Sequence, residues 1–594
     1  MKMFQRTLKS TLLASCAIIT SQAALSQEAQ QAGSDQVDTI ITIGRYIPDE
    51  KRATSEISNV VSSSDFSLAG DSDIAVALTR LPGISPDVTG KYVVIRGLNE
   101  RYTSTLLNGI ELPSPDPLKR AVPLDIFPTS LVGSVLIQKT YSAEYPGAFG
   151  GGVIDIRTKV VPEESFFEIG LGTGYNSAST FKDGLTYYGS DTDVFGFDNG
   201  TRDLPAIIAA NPTLEGMSAA ELEQAGEAFP NIWSIDFQNN APDFDFNTAG
   251  GTNWEVGDEG EVGIIVAVDY GSKFRNKFGQ RSSYKASSAT DSGLEADRDF
   301  SPRACEAVGV DGSECGYDVT TWDIDLNTFT SLGWQINADH AIKYSSLLLR
   351  SSQKQVEIQQ GRTNSEDLAN FTRLDWTERQ VWSHSFDGEH AFDIFNDDMT
   401  EIFWHANSTK AKRDVPMRKR YTYVYDNNSG AFEMLRRNDS NRIEFGALDD
   451  TSKDIGFDVK QPFYINSTAL DFKFGASYNE KNRVSDYKKY GFNLANVSND
   501  ELRTFVPEVI FGSVNIDPNG IYLDEFFDAS SAFTADFENK QFFAQVDAQV
   551  NDQVRVSAGM RYEDSLQTVM STDRTTLEDI TIRQDLEKWL PSAT

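Results

Sequence analysis

The stretch from Tyr92 to Lys159 decides the fold of this chain. It reads YVVIRGL at 92–98, LLNGIELP at 106–113, DIFP at 125–128 and GGGVIDIRTK at 150–159. Asn-Gly at 108–109 stands between two apolar runs and predicts a tight β-hairpin. Pro128 predicts a helix start ahead of a strand at 134–139, and the glycines at 150–152 bend the chain into a last strand at 153–158. The spacing predicts a small α/β domain of short strands.

Composition excludes two broad classes of protein. The 594 residues carry 53 basic and 88 acidic side chains, a net charge of -35, so a nucleic-acid phosphate backbone would be repelled. With 37 Phe and 21 Tyr, the aromatic content is too high for a disordered chain. It suits strands that bury one face.

The N-terminus has the features of a secretory signal. Basic residues in the first ten positions precede an apolar run at 11–20, and the small residues Ala24 and Ser26 predict cleavage after Ser26. The alternative is a lipoprotein site at Cys16, for which the apolar run after Lys9 is too short. In an exported chain, Cys305 and Cys315 predict a local disulfide. The alternative, a metal site, would require further thiols or a nearby histidine.

From Phe166 onward the sequence alternates with a period of two. Val262, Ile264, Val266, Val268 and Tyr270 share one face, and the other face is polar or small. A sandwich in water could show this pattern, but strands of more than ten residues with charges on the polar face favour a wall between lipid and a wet interior. Short turns near 257–261, 337–340 and 551–553 alternate with long polar stretches, predicted as loops, at 177–243, 276–317, 354–371, 414–452 and 483–536.

The predicted fold class is therefore mainly β, a transmembrane antiparallel β-barrel with an N-terminal α/β domain. We count roughly eleven complete strands and the start of a twelfth at 588–590. No helix beyond the N-terminus is predicted to span a membrane. A helix is predicted at 71–81, where Ile74, Leu78 and Leu81 share one stripe and Pro82-Gly83 ends it.

The motifs of the decisive stretch resemble the plug of TonB-dependent outer-membrane receptors, with Asp155 where Asn is common in the family. The resemblance implies a 22-stranded barrel in a bacterial outer membrane, of which about half is present here. It also implies four regions: a signal peptide at 1–26, a periplasmic segment at 27–50, a plug at 51–160 and a partial barrel at 161–594.

The sequence at Val37–Ile43 is VDTIITI, an extended and largely apolar pattern. It follows the polar residues 27–36, which are predicted to be mobile. By itself it is a short β-strand or a strand held out for a partner. Its position before a plug-like domain resembles the TonB box. The resemblance therefore implies that TonB, with its inner-membrane energising complex, binds Asp38, Thr39, Ile40, Ile41 and Thr42.

Two loops of the plug-like domain, 99–103 and 113–120, are the predicted ligand contacts. In the family such loops face the outside, and here they offer Asn99, Arg101, Tyr102, Lys119 and Arg120 as donors and a stacking face. Ordinary solvated loop is the alternative interpretation. The run Tyr187–Pro205 also resembles a stretch found after the first barrel strand in a subgroup of the family, with no chemistry attached.

No nucleophile elbow, phosphate loop, zinc motif or dinucleotide fingerprint is present, so we predict no catalytic residues, no metal and no cofactor. The resemblance implies a monomeric active importer, not an enzyme, in contact with outer-membrane lipid. Its cargo, an iron chelate, cobalamin or a glycan, is not identified by the sequence. The alternatives are a secreted acidic β-rich hydrolase and a passive porin or adhesin.

Overall fold

The computed structural model describes residues 57–71, 73–87, 89–159, 164–286, 293–362, 367–395, 398–465, 468–526, 532–551, 553–573, 576 and 578–594. The predicted signal peptide and the predicted TonB-binding residues 38–42 lie outside the described residues. Within these ranges, no helix is both long enough and apolar enough to cross a membrane.

Residues 57–159 form a small domain that we call the inner domain. A five-stranded sheet in the order β1-β6-β7-β4-β5 is its centre, with β4 and β7 parallel and the other pairs antiparallel. Its elements are β1 Ser58–Ser62, α1 Ser63–Ala69, α2 Ile74–Leu78, β2 Ile84–Pro86, β3 Val93–Ile95, β4 Thr103–Leu107, β5 Ile110–Glu111, β6 Val132–Gln138 and β7 Gly152–Thr158, with 3-10 turns at Glu100–Tyr102, Leu124–Ile126 and Thr129–Leu131.

The predicted hairpin is confirmed: Asn108 and Gly109, at φ of 52° and 84°, join β4 to β5 in the left-handed conformation that this turn requires. The strands predicted at 134–139 and 153–158 are confirmed within two residues. The helix predicted at 71–81 is shorter, because Asp73 caps its start by accepting from the Val76 amide. The helix expected after Pro128 is only a 3-10 turn, since the chain enters β6 at Val132.

The rest of the chain is dominated by one large antiparallel sheet, which we call the wall. In chain order its strands and their short partners are β8 Phe166–Gly174, β9 Asp183–Thr186, β10 Asp236–Asn239, β11 Asp243–Val256, β12 Gly260–Gly279, β13 Arg281–Ala286, β14 Leu294–Phe300, β15 Gly316–Asn337, β16 His340–Arg362, β17 Leu368–Phe395, β18 Asp398–Asp426, β19 Ala431–Met434, β20 Arg442–Ile465, β21 Thr468–Asn493, β22 Tyr522–Phe526, β23 Phe533–Asn551, β24 Val554–Thr572 and β25 Asp579–Ala593.

The wall runs in the order β8-β11-β12-β15-β16-β17-β18-β20-β21-β23-β24-β25. The predicted mainly β fold with a large antiparallel sheet is confirmed, and the predicted twelfth strand is β25. The inner domain contacts one face of strands from β12, where Ser130 reaches Asp269, to β24, where Arg561 reaches the Ala143 carbonyl. The wall therefore curves around the inner domain, and this face is its inner face.

The two faces of the wall differ in chemistry. On β12 the inner face carries Asp269 and its alternate neighbours, whereas Val266 points outward and is exposed. Similar outward apolar side chains are Leu332, Trp334, Trp382, Phe386, Phe457, Phe474, Phe542, Val556 and Met560. The alternation predicted from the sequence thus separates an apolar outer face from an inner face that is polar except where residues such as Ile265 and Phe329 belong to the inner domain's apolar core.

Three of the predicted long loops are wrong in extent. The structure continues β16 to Arg362 and starts β17 at Leu368, so little of 354–371 is loop. Likewise β18 reaches Asp426 and β21 reaches Asn493. The wall strands have up to 29 residues, where about 9–11 cross a bilayer. Their far ends are polar in sequence because they extend beyond the apolar part of the outer face.

Long insertions cover the outer face of these strand extensions. They contain α3 Ala206–Ala210, α4 Ala219–Glu227, α5 Pro302–Glu306, α6 Pro507–Ile510 and 3-10 turns at Asp193–Phe195, Gly312–Glu314, Asn438–Ser440, Asp500–Thr504 and Ser513–Asn515. Segments 204–233 and 494–523 pack against β18, β20 and β21 in an apolar cluster that we call the outer cluster: Ile208, Leu214, Ala225, Phe229, Trp233, Met417, Tyr421, Met434, Ile443, Tyr490, Phe492, Leu494, Val497, Ile510, Phe511, Ile516, Ile521 and Leu523.

Cys305 and Cys315 form a disulfide in the structure. It joins α5 to the strand that begins at Gly316, within the insertion between β14 and β15.

Candidate ligand site between the inner domain and the wall

The two predicted ligand loops lie side by side. Asn99 precedes the 3-10 turn Glu100–Tyr102, and the Lys119 ammonium lies 3.1 Å from Glu100 Oε1, which joins the loops. Lys119 also lies 4.0 Å from the centre of the Tyr92 ring. Arg101 and Tyr102 are exposed at the surface of this pair of loops. The structure therefore brings the five predicted residues into one region.

One wall arginine holds the second loop in place. The Arg483 guanidinium ion-pairs with Asp450 and donates to the carbonyls of Ser114, Pro117 and Lys119 at 3.2 to 3.3 Å. Arg483 lies fifteen residues along β21 from its start at Thr468. The loop therefore lies toward the end of the wall that carries the long insertions.

The opposite end of the inner domain is held near the short turns. Lys473, only five residues along β21, ion-pairs with Glu144. Arg561 donates to the Ala143 carbonyl at 3.1 Å, and Gln545 accepts from Ser142 at 3.3 Å. The contacts along β21 thus fix the direction of the inner domain, with residues 142–144 at the short-turn end.

Arg120 is less available to a ligand than the sequence suggests. Its guanidinium pairs with Glu111, whose other oxygen lies 2.7 Å from the Lys481 ammonium on the wall. Burial alone would raise the pKa of Glu111, but the charges of Lys481 and Arg120 outweigh it and hold this pKa well below its usual range. Glu111 therefore remains ionised and neutralises part of both cations.

The wall adds a group of arginines that the sequence did not predict. We call it the arginine patch: Arg373, Arg413, Arg418, Arg420 and Arg442, with the carboxylates Glu357, Asp375 and Glu444. It lies on the inner face, because Arg413 is the register partner of Arg379 and Arg379 binds Asp125 of the inner domain.

The arginine patch presents positive charge to the interior. Arg418 lies 2.9 Å from Asp375 and 3.6 Å from Glu444, and Arg442 lies 2.6 Å from Glu444. The side chains of Asp375 and Glu444 are only 6% and 1% exposed, whereas the side chain of Arg420 is 36% exposed. Five arginines thus cover three carboxylates, and the guanidinium groups form the accessible surface.

Some donors of the patch are not used by the protein. The Nε atoms of Arg373, Arg418 and Arg420 are buried and have no hydrogen-bond acceptor in the described part of the chain. A buried donor without an acceptor is costly. The exposed parts of the Arg373 and Arg420 guanidinium groups remain open to an anion with several oxygens, which would balance the excess positive charge.

A β-bulge aims two of the arginines inward. Between Val415 and Arg418 the pairing of β18 with β20 gains one residue, and Met417 adopts a φ of 52°. Such a conformation costs a non-glycine residue about 1 to 3 kcal/mol. The extra residue reverses the alternation, so Arg418 and Arg420 join Arg413 on the inner face.

The chemistry of this region is that of guanidinium groups and the carboxylates that partly neutralise them. No group of three or more His, Cys, Asp or Glu suited to a metal ion occurs within the described ranges. What the geometry provides is a cationic surface on the wall beside the loops of a domain held by ion pairs.

Comparison with known proteins identifies the inner domain. Residues 50–153 match the family model of the TonB-dependent Receptor Plug Domain. The inner domain is therefore a plug of this kind, and the prediction based on its motifs is confirmed. No curated protein is similar enough in sequence to count as a relative.

Solved structures with a similar arrangement include three receptors. The siderophore receptor PiuA from Acinetobacter baumannii is 13% identical, with 91% of this chain and 62% of that chain covered and a TM-score of 0.49. The receptors Fiu from E. coli K12 and FyuA from Yersinia pestis are each 10% identical. Their alignments cover 90% and 91% of this chain and 80% of each receptor, with TM-scores of 0.37 and 0.36. The chain spans less than two thirds of the length of PiuA, and none of these likenesses identifies a ligand.

Proposed function

We propose that this protein is a TonB-dependent importer that carries an anionic ligand across the bacterial outer membrane. The observation that carries the proposal is the plug domain, seated by ion pairs on the polar inner face of a wall whose outer face is apolar. The arginine patch favours an anionic cargo, and among the three cargoes left open an iron chelate fits best.

The ligand would bind between the exposed guanidinium groups of the patch and the loops that contain Arg101 and Tyr102. Arg373 and Arg420 contribute the most exposed charge, and Tyr102 contributes a stacking face. The net charge of -35 repels anions at long range. Local pairing with several guanidinium groups at short range can exceed this repulsion.

Energy would enter through residues 38–42, which we propose as the TonB-binding strand. The first described strand, β1, begins sixteen residues later at Ser58 and pairs with β6 at an edge of the inner sheet. A pulling force on the N-terminal segment would reach β1 first, because an edge strand is held by one neighbour. Loss of β1 would weaken the inner domain while the wall stays intact.

The first test measures energised uptake of iron chelates in cells that carry the intact protein. Deletion of 38–42 is expected to abolish uptake while the ligand still binds at the surface. The control deletes five residues of the polar segment 28–32, which should leave uptake unchanged. Uptake that persists without residues 38–42 would show passive entry and refute the proposal.

The second test addresses the anionic ligand. The variant Arg418→Gln/Arg420→Gln should weaken binding by about tenfold to a hundredfold, since two charge-assisted contacts contribute about 1.5 to 3 kcal/mol each before compensation by neighbouring arginines. The matched control is Lys410→Gln, which removes a cation from the outer face of the same strand. Equal binding by both variants would exclude the patch as the ligand site.

A further inference from the structure

The run Tyr187–Pro205, to which the sequence assigned no chemistry, folds against the outer face of the wall. The Tyr270 hydroxyl donates to the Val194 carbonyl at 2.8 Å, and Tyr270 points away from the inner domain because its neighbour Asp269 points toward it. Arg350 Nε donates to the Gly196 carbonyl at 2.9 Å and Ser352 to the same oxygen at 2.7 Å. The run thus crosses β12, β15 and β16 from outside.

A buried charge network fixes this run rigidly. The Arg202 side chain is 4% exposed and pairs with Asp193 at 2.8 Å and with Asp198 at 2.6 Å. Its guanidinium lies 4.6 Å from the Trp376 ring centre. Lys354 on β16 reaches Asp193 at 3.2 Å. Removing one partner from such a buried network is costly, so the turn between Asp193 and Asp198 has little freedom to rearrange.

The same turn exposes apolar side chains where a soluble loop would carry polar ones. Phe195 is 59% exposed, and Val194 is 41% exposed. Phe197 is partly exposed and lies under the Arg350 guanidinium, 3.8 Å from it. The network therefore holds two apolar side chains outward at the tip of the turn rather than folding them into the outer cluster.

The position of this tip along the strands is the decisive observation. Tyr270 lies ten residues along β12 from Gly260, and Arg350 lies ten residues along β16 from His340. Both strands start at short turns, and about 9–11 tilted residues cross a bilayer. The tip therefore lies at the level where the wall leaves the lipid on the side of the long insertions.

The side chains on the outer face of the wall change from apolar to polar at this level. Toward the short turns, the rows below Tyr270 and Arg350 carry the exposed apolar side chains Val266, Leu332 and Trp382. At the tip, Arg350 and, in the next row, Ser352 and Glu378 are polar and are covered by the run. Val194 and Phe195 thus continue the apolar band at its upper edge.

We propose that Ser190–Asp198 is a membrane-interface foot, in which Val194 and Phe195 insert into the lipid headgroup and acyl boundary of the outer leaflet. Bulky apolar and aromatic side chains are favourable at this boundary, and Arg350 and Glu378 behind them satisfy the polar atoms of the turn. The foot would set how deep the wall lies and keep the long insertions upright on the lipid surface. This inference rests on the membrane location in the proposed function.

The test places one nitroxide label on the intact protein in vesicles of phosphatidylethanolamine and phosphatidylglycerol. The labelled variants are Phe195→Cys in the foot, Phe386→Cys in the apolar band and Val514→Cys, whose side chain is 89% exposed in another insertion. Cys305 and Cys315 remain paired and unlabelled. Collision rates with oxygen, which partitions into lipid, and with a water-soluble nickel complex are measured for each label.

The label at 195 is expected to resemble that at 386, with frequent oxygen collisions and loss of nickel collisions, and the label at 514 should show the reverse. Frequent nickel collisions at 195, with the label at 386 protected, would overturn the foot and leave the membrane location standing. Loss of both kinds of collision at 195 would indicate a protein contact and also overturn it. Frequent nickel collisions at 386 would refute the membrane location itself.

Discussion

The inner domain and the outer cluster pack on opposite faces of the same strands, and they are held differently. The inner domain is attached by separate polar contacts, such as Asp125 with Arg379, Glu144 with Lys473 and Glu111 with Lys481. Apolar contacts add to these: eight buried wall residues, three of them alanine, belong to the same apolar core as the inner domain, namely Ala249, Ile265, Ala267, Phe329, Leu347, Leu349, Val381 and Ala411. The outer cluster buries a continuous set of large side chains, including the fully buried Trp233, Tyr490 and Phe492.

The difference indicates which contact with the wall separates more easily, that of the inner domain or that of the outer cluster. Burial of one large apolar side chain stabilises by about 1.5 to 3 kcal/mol, and the outer cluster sums many such terms. An ion pair can exchange its partner for water at a much smaller net cost if water reaches it. The polar contacts of the inner domain can therefore be exchanged for water more readily than the apolar contacts of the outer cluster.

The largest expected effect is on the outer cluster. Trp233→Ala should destabilise the insertions by about 4 kcal/mol, because it removes a buried indole that packs on Tyr421, Phe492 and Phe511. Lys419 would also lose the ring 4.9 Å from its ammonium. Hydrogen exchange of 204–233 and 494–523 should speed up accordingly, while exchange of the inner sheet stays unchanged.

The control for this variant is Val514→Ala, in the segment 494–523 that packs against Trp233, where the side chain is 89% exposed and we expect a change within about 0.5 kcal/mol. Faster exchange of β6 and β7 in Trp233→Ala would contradict the comparison, since it would show that the two packed regions are coupled through the wall.

The next largest effect is at the attachment of the inner domain. Asp125→Asn leaves the Arg379 guanidinium, whose side chain is 9% exposed, without its carboxylate. We expect a loss of about 3 kcal/mol in docking of the inner domain, most of it the cost of a buried unpaired charge. Protease access to the inner domain measures the loss.

The double variant Asp125→Asn/Arg379→Met separates the cost of the unpaired charge from the net stabilisation that the ion pair gives to docking. It should recover much of the stability, because no unpaired charge remains. If the double variant is as unstable as the single one, the pair itself is what attaches the inner domain, and the view of a releasable contact fails.

Much of the inner domain could be predicted because its signals are local. The turn at Asn108-Gly109 and the glycines before β7 follow from backbone conformation alone. The sequence analysis missed β1 and α1, although Ser62 and Asp65 form a capping box that marks the helix start. The polar composition around them masked the signal, since β1 is a short edge strand whose residues are mostly half-buried.

The arginine patch could not be predicted by alternation. Arg418 and Arg420 lie five and seven residues after Arg413, so a regular strand would place them on the opposite face from Arg413. The bulge at Met417 restores them to the inner face, and its φ of 52° is not indicated by a methionine in the sequence. The two loops lie next to each other in the structure, but this proximity and the partners of Lys119 and Arg120 depend on the tertiary fold and were not predicted.

The smallest expected effect is a pH dependence at Glu111. Its pKa is held below the usual range in the folded protein, so ionised Glu111 stabilises the docked inner domain above the ordinary carboxyl pKa of about 4.3 and loses this contribution as the pH falls through the folded value. Lys481→Met should raise the folded pKa and move the loss toward pH 4. We expect about 1 kcal/mol, because Arg120 still pairs with the carboxylate.

Protease access to the inner domain between pH 7 and about pH 3 measures this shift against the ordinary carboxyl range. The control is Lys488→Met, which removes a lysine that pairs with Asp486 on the outer face of the same strand and should not change the profile. Identical profiles for Lys481→Met and the unaltered protein would mean that Glu111 does not couple the inner domain to the wall. The attachment would then depend on Asp125 and Glu144, and a force on β1 would have fewer contacts to break before the inner domain moves.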